Sequence, residues 1–267
     1  MKKVIIQIIS VMLTIMVLNT CSTVPITERK QLKLIPNATM YETSFHQYKE
    51  FLDSNKVSKN AAQANLVKTV GTKMQKAVEK YFSDKGQAAK MSGYKWEFNL
   101  VESNQVNAWC MPGGKVVVYT GILPVTKDEA GLAVVMGHEI AHAIADHGNE
   151  RMSEQLVIQM GGMALNEAVK SKPEKTKALW MASFGVGAQY GLILPYSRMH
   201  ESEADHLGLI FMAMAGYNPE FAVDFWKRMA SMGGQKPPEI LSTHPSDETR
   251  IKKIQEYMPE ALKYYSK

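Results

Sequence analysis

The spacing of apolar residues predicts the elements in the first half of the chain. Apolar residues recur every three or four positions over residues 60–82, which is typical of an amphipathic helix, and a shorter helix is predicted over residues 39–52. The period then changes to two. Trp96, Phe98 and Leu100 alternate with polar residues, and this pattern predicts a half-buried strand.

Two further extended stretches are predicted on either side of a tight turn. Residues 105–111 and 115–120 flank Pro112-Gly113-Gly114, and this order predicts a β-hairpin. The free edge of such a hairpin can pair with an extended peptide, or the hairpin can be purely structural. The sequence leaves both roles open.

The second half of the chain is predicted to be mainly helical. Thr126 and Glu129 form a capping box that starts a helix, which Gly148 interrupts before the helical pattern resumes. Residues 178–194 carry no charge and approach the length of a membrane-spanning helix, but glycines weaken that interpretation. We expect residues 160–194 to form a helical hairpin packed inside the domain, and contact with a membrane is the alternative.

The helix that starts at the capping box carries the sequence HEIAH at positions 138–142. Two histidines four positions apart lie on one face of a helix, so His138 and His142 can bind one Zn²⁺ ion. Glu139 lies about 100° round the helix, where its carboxylate can take a proton from an attacking water. A helix with two surface histidines is the alternative, so a third ligand is needed to support the metal site.

An acidic run on a later predicted helix offers that third ligand. Glu201 and Asp205 are four positions apart and share a face. One carboxylate can therefore bind Zn²⁺ while the other accepts the free N–H of a ligating imidazole. Glu203 points elsewhere and is expected to be solvated or salt-bridged. His200 and His206 are not expected to be ligands.

The composition fits one large domain, or a domain with a small appendage. The 267 residues are 45% hydrophobic and carry a net charge of +5 that is spread along the chain. No basic block with interleaved aromatic residues occurs, so nucleic-acid binding is not expected. Cys110 is expected to be a small buried apolar residue rather than a nucleophile.

The N-terminus has the features of a targeting segment. Lys2 and Lys3 precede an apolar stretch at residues 4–18, which ends shortly before Cys21. This order resembles a bacterial lipobox, so residues 1–20 are predicted to be a lipoprotein signal peptide and Cys21 the lipidated residue. An ordinary secretory signal or a short uncleaved anchor is the alternative.

These sequences resemble the membrane-associated gluzincin family of zinc metallopeptidases, which includes the CAAX prenyl endopeptidases, the HtpX heat-shock peptidases and bacterial lipoprotein peptidases of the BepA type. The resemblance extends from Asn65 onward and is carried by HEIAH and by RMHESEADHLG at positions 198–208. The family's substrate-side hairpin is similar to NAWCMPGGKVVVYTGIL, and its C-terminal segment is similar to STHPSDETRI.

The resemblance implies a mainly helical α+β fold of the zincin type, with a small β-hairpin or sheet beside the active-site helix. It implies that His138, His142 and Glu201 bind one Zn²⁺ ion, that Glu139 is the catalytic base, and that Asp205 supports a ligating histidine. Neither the multiple membrane spans of some relatives nor a helical repeat domain is expected here, so the substrate classes of those relatives do not transfer.

A histidine near the C-terminus has a role that the sequence leaves open. By the resemblance, His244 lies at the mouth of the cleft. It either donates to the oxyanion of the tetrahedral intermediate or binds the zinc and holds the enzyme latent, and an exposed bystander is the third reading. Ser246 is expected to cap the helix that follows. Arg250 either pairs with a carboxylate of the cleft or forms a surface ion pair, which the sequence favours.

Three parts of the chain are therefore expected. Residues 1–20 are the signal peptide, residues 21–58 are a tether and an N-terminal helix, and residues 59–267 are the zinc metallopeptidase domain. The tether is expected within residues 22–36, which contain two prolines and show no clear period. The sequence does not indicate an oligomeric state.

The expected function is that of a zinc metalloendopeptidase in protein quality control, lipid-anchored in a bacterial cell envelope. It is expected to face the periplasm, on the outer rather than the inner membrane, and to hydrolyse unfolded or misassembled envelope proteins. One alternative is a lipoprotein chaperone or assembly factor with a structural or latent zinc site, which the intact base Glu139 disfavours. Another is a zinc-dependent amidase or other non-peptide hydrolase.

Overall fold

The computed structural model of the protein describes residues 21–232 and 246–266. Helices make up most of these residues. Short 3₁₀ turns cover Ala88–Met91, Thr120–Ile122 and Leu262–Tyr264, and a π-helical turn covers Gln189–Ile193. The α-helices are α1 (Asn37–Ser54), α2 (Ala61–Asp84), α3 (Leu123–Thr126), α4 (Glu129–Ile144), α5 (His147–Ala168), α6 (Glu174–Ala188), α7 (Leu194–Met214), α8 (Phe221–Ser231) and α9 (Asp247–Ala261).

Two small sheets accompany the helices. Strand β3 (Glu97–Val101) runs parallel to β5 (Lys115–Tyr119), whereas β4 (Ala108–Met111) and β5 form the predicted antiparallel hairpin. The order of the larger sheet is β3-β5-β4, so β4 lies at an edge. This mainly helical fold with a small sheet confirms the predicted α+β class. The strands are β1 (Cys21–Thr23) paired with β2 (Lys30–Leu32), and β3 (Glu97–Val101), β4 (Ala108–Met111) and β5 (Lys115–Tyr119).

Helix α4 lies at the centre of the molecule. Apart from Glu139 and His142, its residues from Gly131 to Ile144 are buried, and apolar side chains surround it on nearly every side, which is typical of a central helix. The same core takes side chains from α2, the larger sheet and α7. Among these are Val70, Met74, Phe98, Val116, Leu207 and Phe211.

The start of α4 differs from the prediction. Asp128, not Thr126, is the N-cap, and its side-chain oxygen Oδ1 accepts a hydrogen bond from the backbone N–H of Gly131 at 2.8 Å. Thr126 ends α3 and donates to the backbone oxygen of Leu123. The predicted capping box is wrong because Lys127, at φ 69°, turns the chain between two separate helices.

Residues 22–36, expected to form a tether, instead hold strands β1 and β2 and pack against the domain. Val24 is buried in the main core. The side-chain amide of Asn149, on α5, donates to the backbone oxygen of Ile35 at 2.7 Å. This N-terminal strand pair is therefore an ordered part of the fold. Residues 1–20 lie outside the described residues.

Helices α5 and α6 form a helical hairpin, but it is not packed inside the domain as predicted. The two helices meet where the ring of Phe184 lies so close that a methyl group on Gly161 would be 3.2 Å from it. Their other sides face solvent, with Met160 63% and Leu179 68% exposed. The helices thus cover each other and little else. Among the described residues, no helix combines the length and apolarity needed to cross a bilayer.

Candidate active site

Three side chains from two helices bring metal-binding atoms to one place. His138 and His142 lie one turn apart on α4, with their Nε2 atoms 3.1 Å apart. Glu201, on α7, reaches both. Its Oε1 atom is 3.3 Å from His142 Nε2, and its Oε2 atom is 3.6 Å from His138 Nε2. The two patterns singled out in the sequence therefore meet in the fold.

The spacing of the two imidazole nitrogens and the carboxylate oxygens of Glu201 fits a zinc ion. Bonds of about 2.0–2.1 Å at tetrahedral angles separate two zinc ligands by about 3.4 Å, and the separations of 3.1, 3.3 and 3.6 Å lie around that value. Two imidazoles and one carboxylate are also the donor set of catalytic zinc sites, which keep a fourth position for water or substrate. The residues present therefore fit the metal.

Two glycines let α4 and α7 approach closely enough to share these donors. A methyl group on Gly208 would lie 2.9 Å from both the backbone carbon of Gly137 and the backbone nitrogen of His138. One on Gly137 would lie 2.9 Å from the carbonyl oxygen of Gly208. Any side chain at either position would push the two backbones apart. Glu201 lies about two turns before Gly208, so the contact sets how far it reaches toward α4.

Asp205 orients the first histidine. Its Oδ1 atom is 2.9 Å from His138 Nδ1, so the Nδ1–H donates and Nε2 is left for the metal. Arg250 donates to both carboxylate oxygens, from Nη2 at 2.7 Å and from Nε at 2.8 Å, and it lies over the ring of Trp226. Burial raises the pKa of Asp205, but the charge of Arg250 and these hydrogen bonds outweigh it and lower that pKa. The favoured surface ion pair of Arg250 is therefore wrong, because the guanidinium is buried.

His147 orients the second histidine. Its Nδ1 atom is 2.8 Å from His142 Nδ1, and its Nε2 atom is 3.0 Å from Glu203 Oε2. A carboxylate only accepts, so His147 Nε2–H donates to Glu203, and His147 Nδ1 accepts from His142 Nδ1–H. His142 Nε2 is then free to bind a metal. Asp146, at φ 56°, turns the chain back between α4 and α5, and a third histidine soon after HEIAH is the sequence signal for this arrangement.

Glu203 is buried and salt-bridged rather than solvated. Arg29, from the N-terminal strand pair, places Nη2 2.8 Å from Glu203 Oε2. The same guanidinium binds both oxygens of Glu150, each at 2.7 Å. Burial raises the pKa of Glu203, but hydrogen bonds from His147 and Arg29 outweigh it and lower that pKa to about 2. Through Arg29, the N-terminal strand pair therefore contacts Glu203, the carboxylate that holds His147 beside the second histidine.

The protonation of Glu139 and His142 suits hydrolysis near neutral pH. Burial, together with the charge of Glu201, raises the pKa of Glu139 to about 7, so its carboxyl can both take up and release a proton. Burial lowers the pKa of His142 to about 4 and keeps its imidazole neutral, as metal binding requires. Burial lowers the pKa of His138 too, but hydrogen bonds to Asp205 and Glu201 raise it to about 9.

The edge strand β4 runs beside this centre. Cys110, on β4, is near enough to Glu139 for the carboxylate charge to add to burial in raising the pKa of the thiol. A raised pKa disfavours the thiolate of Cys110, although its side chain is half-buried and not buried as predicted. One side of β4 pairs with β5, and within residues 21–232 and 246–266 no strand pairs with the other. An open strand edge therefore flanks the catalytic helix.

The structure leaves two of the remaining candidate residues untested. His244 lies outside the described residues, so its two roles stay predictions. Cys21 begins β1, and its lipidation also stays a prediction. The two histidines not expected to bind metal lie 2.8 Å from carboxylates, His200 from Glu150 and His206 from Glu260.

Comparison with known proteins assigns this centre to a family. The model of peptidase family M48 matches residues 72–258. The chain belongs to peptidase family M48. As an M48 member it is a zinc metallopeptidase, and the predicted resemblance to membrane-associated gluzincins is confirmed.

Relatives of this M48 peptidase are longer than the chain. It is 40% identical over 180 residues to mitochondrial metalloendopeptidase OMA1 of Schizosaccharomyces pombe. The aligned region covers 64% of the chain and 49% of that protein. The human metalloendopeptidase OMA1 is 35% identical over 181 residues, which are 65% of the chain and 34% of the human protein. The β-barrel assembly-enhancing protease of Escherichia coli is 27% identical over 162 residues, with 58% and 33% covered. The chain thus spans half or less of these relatives.

The predicted location is wrong on this comparison. A lipid-anchored protein of a bacterial cell envelope was expected, whereas relatives at 40%, 36% and 32% identity are named mitochondrial metalloendopeptidases. The bacterial β-barrel assembly-enhancing proteases share less identity, at 31% and 27%. The assignment to peptidase family M48 does not depend on that location.

Proposed function

We propose that His138, His142 and Glu201 hold the zinc ion of this metalloendopeptidase and that Glu139 is its catalytic base. The observation that carries the assignment is the meeting of two imidazole nitrogens and the carboxylate of Glu201 at separations of 3.1–3.6 Å, with Glu139 next to His138 on the same helix. Asp205 acts through His138, and its hydrogen bond at 2.9 Å supports that positioning role.

The chain's own residues then divide the work of peptide hydrolysis. Bound zinc supplies Lewis acidity, which polarises a carbonyl and makes water more acidic. Glu139 accepts the proton of the attacking water, and because its pKa is near 7 the same carboxyl delivers that proton to the leaving amine. Asp205 and His147 keep the two imidazoles in one orientation throughout.

The proposed substrate is an unfolded protein segment in extended form. Such a segment can add to the open edge of β4 through main-chain hydrogen bonds, which a folded domain does not offer. The position of β4 supports this, because that strand packs against α4, the helix that carries Glu139. A peptide paired with β4 therefore lies next to the catalytic helix.

Cleavage of an unfolded model protein by the full-length chain tests the assignment. Glu139→Gln should keep its zinc and lose about 10²–10⁴-fold in turnover, the usual contribution of a positioned acid–base group. His138→Ala should lose both zinc and activity. Glu50→Gln, at an exposed carboxylate on α1, is the control and should change neither. The folded form of the same model protein should resist cleavage.

His244→Ala belongs in the same assay because its two predicted roles have opposite outcomes. If His244 caps the zinc, the substitution raises basal cleavage. If it donates to the oxyanion, turnover falls by about 10²–10³-fold with zinc retained. Zinc-loaded parent and His244→Ala chains that both leave the unfolded protein intact would contradict the peptidase assignment and favour a chaperone. If the Glu139→Gln chain cleaved the unfolded protein at the parent rate, Glu139 would not be the catalytic base.

A further inference from the structure

A cavity lies where the N-terminal strand pair meets α1, the end of α2 and the turn between α4 and α5. We call it the N-terminal cavity. Its volume is about 270 Å³, nearly twice the roughly 150 Å³ of a cavity that holds benzene. The described residues that line it include neither the zinc donors nor the side chains that orient them. The cavity is therefore separate from the zinc centre and large enough for a small organic molecule.

The walls of the N-terminal cavity are mainly aromatic. Tyr41 on α1, Phe82 on α2 and Tyr94 line it. The rings of Tyr41 and Tyr94 pack edge to face, with their centroids 5.5 Å apart. Met91 and Ile144 add aliphatic surface. Aromatic rings pair with other rings in offset or edge-on arrangements, so these walls suit a flat aromatic ring.

The same cavity carries a surplus of positive charge. Lys33, Lys90 and Asp146 are the charged residues among those that line it, and they sum to +1. Lys33 is ion-paired to Asp146. Lys90 has no carboxylate partner within residues 21–232 and 246–266, and its Nζ atom lies 5.9 Å from the centroid of the Phe82 ring. A ligand with one negative charge would balance this surplus.

The two lysines act on one place in the cavity. Burial raises the pKa of Asp146, and the charges of both Lys33 and Lys90 oppose that rise. Lys90 is also exposed to solvent, as are Thr23 and Asn37, which line the cavity with it. A ligand can therefore enter with its ring first and leave its charged end near the two ammonium groups.

We propose that the N-terminal cavity binds a small aromatic carboxylate, with its ring between the aromatic walls and its carboxylate at Lys33 and Lys90. The two oxygens of a carboxylate can accept from two ammonium groups at once. An aromatic amine would instead add to the positive surplus. Free aromatic acids have this chemistry, and so does the C-terminal residue of a peptide that ends in phenylalanine or tyrosine.

The position of the cavity gives such a ligand access to the back of the catalytic centre. Asp146, which Lys33 holds, turns the chain at φ 56° immediately before His147. His147 places its Nδ1 atom 2.8 Å from Nδ1 of His142, a zinc donor. A carboxylate bound at Lys33 therefore lies beside the turn that positions His147.

Titration of the zinc-loaded, full-length chain with 3-phenylpropionate tests the proposal, with binding followed by nuclear magnetic resonance. A ligand of this size can reach a dissociation constant of about 1 mM. The neutral 3-phenylpropionamide has the same ring and nearly the same shape. It should bind roughly tenfold more weakly, because it lacks the charge that the lysines meet. Binding should persist after a chelator removes the zinc.

The peptide N-acetyl-glycyl-glycyl-phenylalanine separates the two sources of the carboxylate. If it binds as tightly as 3-phenylpropionate, the cavity accepts peptide ends. If only the free acid binds, the cavity is a site for small acids.

Lys90→Gln tests the charge term, because it removes an ammonium group without breaking the ion pair of Lys33. It should weaken binding of the acid by roughly tenfold and leave binding of the amide unchanged. Lys76→Gln, at an exposed lysine of α2 that does not line the cavity, is the matched control and should change neither. Both variants should keep the zinc content and the urea midpoint of the parent, which shows that the fold is intact.

Three results would overturn the proposal. In the first, the parent binds the acid and the amide equally, so the cavity does not select a charge. In the second, removal of zinc abolishes binding while Lys90→Gln leaves it unchanged, so the carboxylate sits on the metal. In the third, neither the acid nor the peptide binds at about 10 mM, ten times the expected constant. None of these results depends on whether the chain cleaves protein.

Discussion

At the scale of single residues, the two zinc-donor histidines are held by partners of different kinds. His138 donates to the carboxylate of Asp205, whereas His142 donates to the neutral imidazole of His147. The neutral imidazole of His147 can accept from His142 only while His147 keeps the tautomer that carries its proton on Nε2. Glu203, 3.0 Å from His147 Nε2, selects that tautomer.

Glu203→Gln is therefore expected to weaken zinc binding by about 10–100-fold, the usual effect of removing support from a ligating histidine. A glutamine amide can turn its N–H toward His147, and this allows the other tautomer, in which His147 Nδ1–H faces His142. The sequence alone predicts little effect, because it places Glu203 away from the metal. Competition with a chelator measures the affinity.

Glu260→Gln is the matched control for that measurement. Glu260 lies 2.8 Å from a ring nitrogen of His206, so the same kind of contact is lost. It should leave zinc affinity unchanged. Equal affinities for the two variants would mean that Glu203 serves only as the ion-pair partner of Arg29.

The parts of the candidate site that the sequence could predict depend on helical spacing. His138 and His142, and likewise Glu201 and Asp205, share a face because they are four positions apart. The contributions of Arg29, His147 and Arg250 depend instead on how the N-terminal strand pair, the turn after α4 and helix α9 approach the centre. No local pattern carries that information for the two arginines, and only the third histidine soon after HEIAH indicates a role for His147.

At the scale of elements, the contact between α4 and α7 depends on the absence of two side chains. Gly208→Ala is expected to lower the free energy of unfolding by about 1–3 kcal/mol, the usual cost of overpacking a core. The added methyl group would lie 2.9 Å from backbone atoms of Gly137 and His138, which cannot rotate away. Zinc affinity should fall as well, because α7 carries Glu201. Denaturant unfolding and chelator competition measure the two effects.

Gly187→Ala separates that packing effect from the general effect of adding a methyl group to a helix. Gly187 lies in α6, and nothing would lie within 4 Å of an added methyl group. The change should stabilise the chain by about 0.5–1 kcal/mol, because alanine favours helix. A Gly208→Ala chain as stable as the parent would show that the two helices can separate freely.

Element boundaries were less predictable than element types. The amphipathic period predicted α2, because burial of one face of a helix leaves a strong pattern. The capping box was wrong because Thr126 ends a short helix that the sequence did not predict, and Lys127, at φ 69°, separates that helix from α4. The hairpin was recognised as helical, but apolarity alone does not tell whether a helix faces a core or the solvent.

At the scale of the whole molecule, one carboxyl group links stability to pH. Burial, together with the nearby charge of Glu150, raises the pKa of Glu154 from 4.5 to about 7. The folded chain therefore binds this proton more tightly than the unfolded chain does. Its contribution to stability is complete below about pH 4.5 and is lost as the pH rises toward 7. Glu154→Gln should remove this loss, so the variant gains stability over the parent as the pH rises through that range.

Urea unfolding at several pH values measures the difference between parent and variant. Glu167→Gln is the control, because it removes a carboxylate from an exposed position of the same helix. The difference in unfolding free energy between Glu167→Gln and the parent should stay the same at every pH in that range. A Glu154→Gln chain whose stability follows the parent at every pH would contradict the coupling.

The N-terminal strand pair changes what counts as the smallest working enzyme. The match to the family model begins at residue 72, whereas Arg29 lies far upstream of that match. A fragment trimmed to the region of similarity would leave Glu150 and Glu203 buried without their shared cation, and an unpaired buried charge is among the most destabilising defects. The limit of the catalytic unit is thus set by one guanidinium, and sequence similarity does not reveal it.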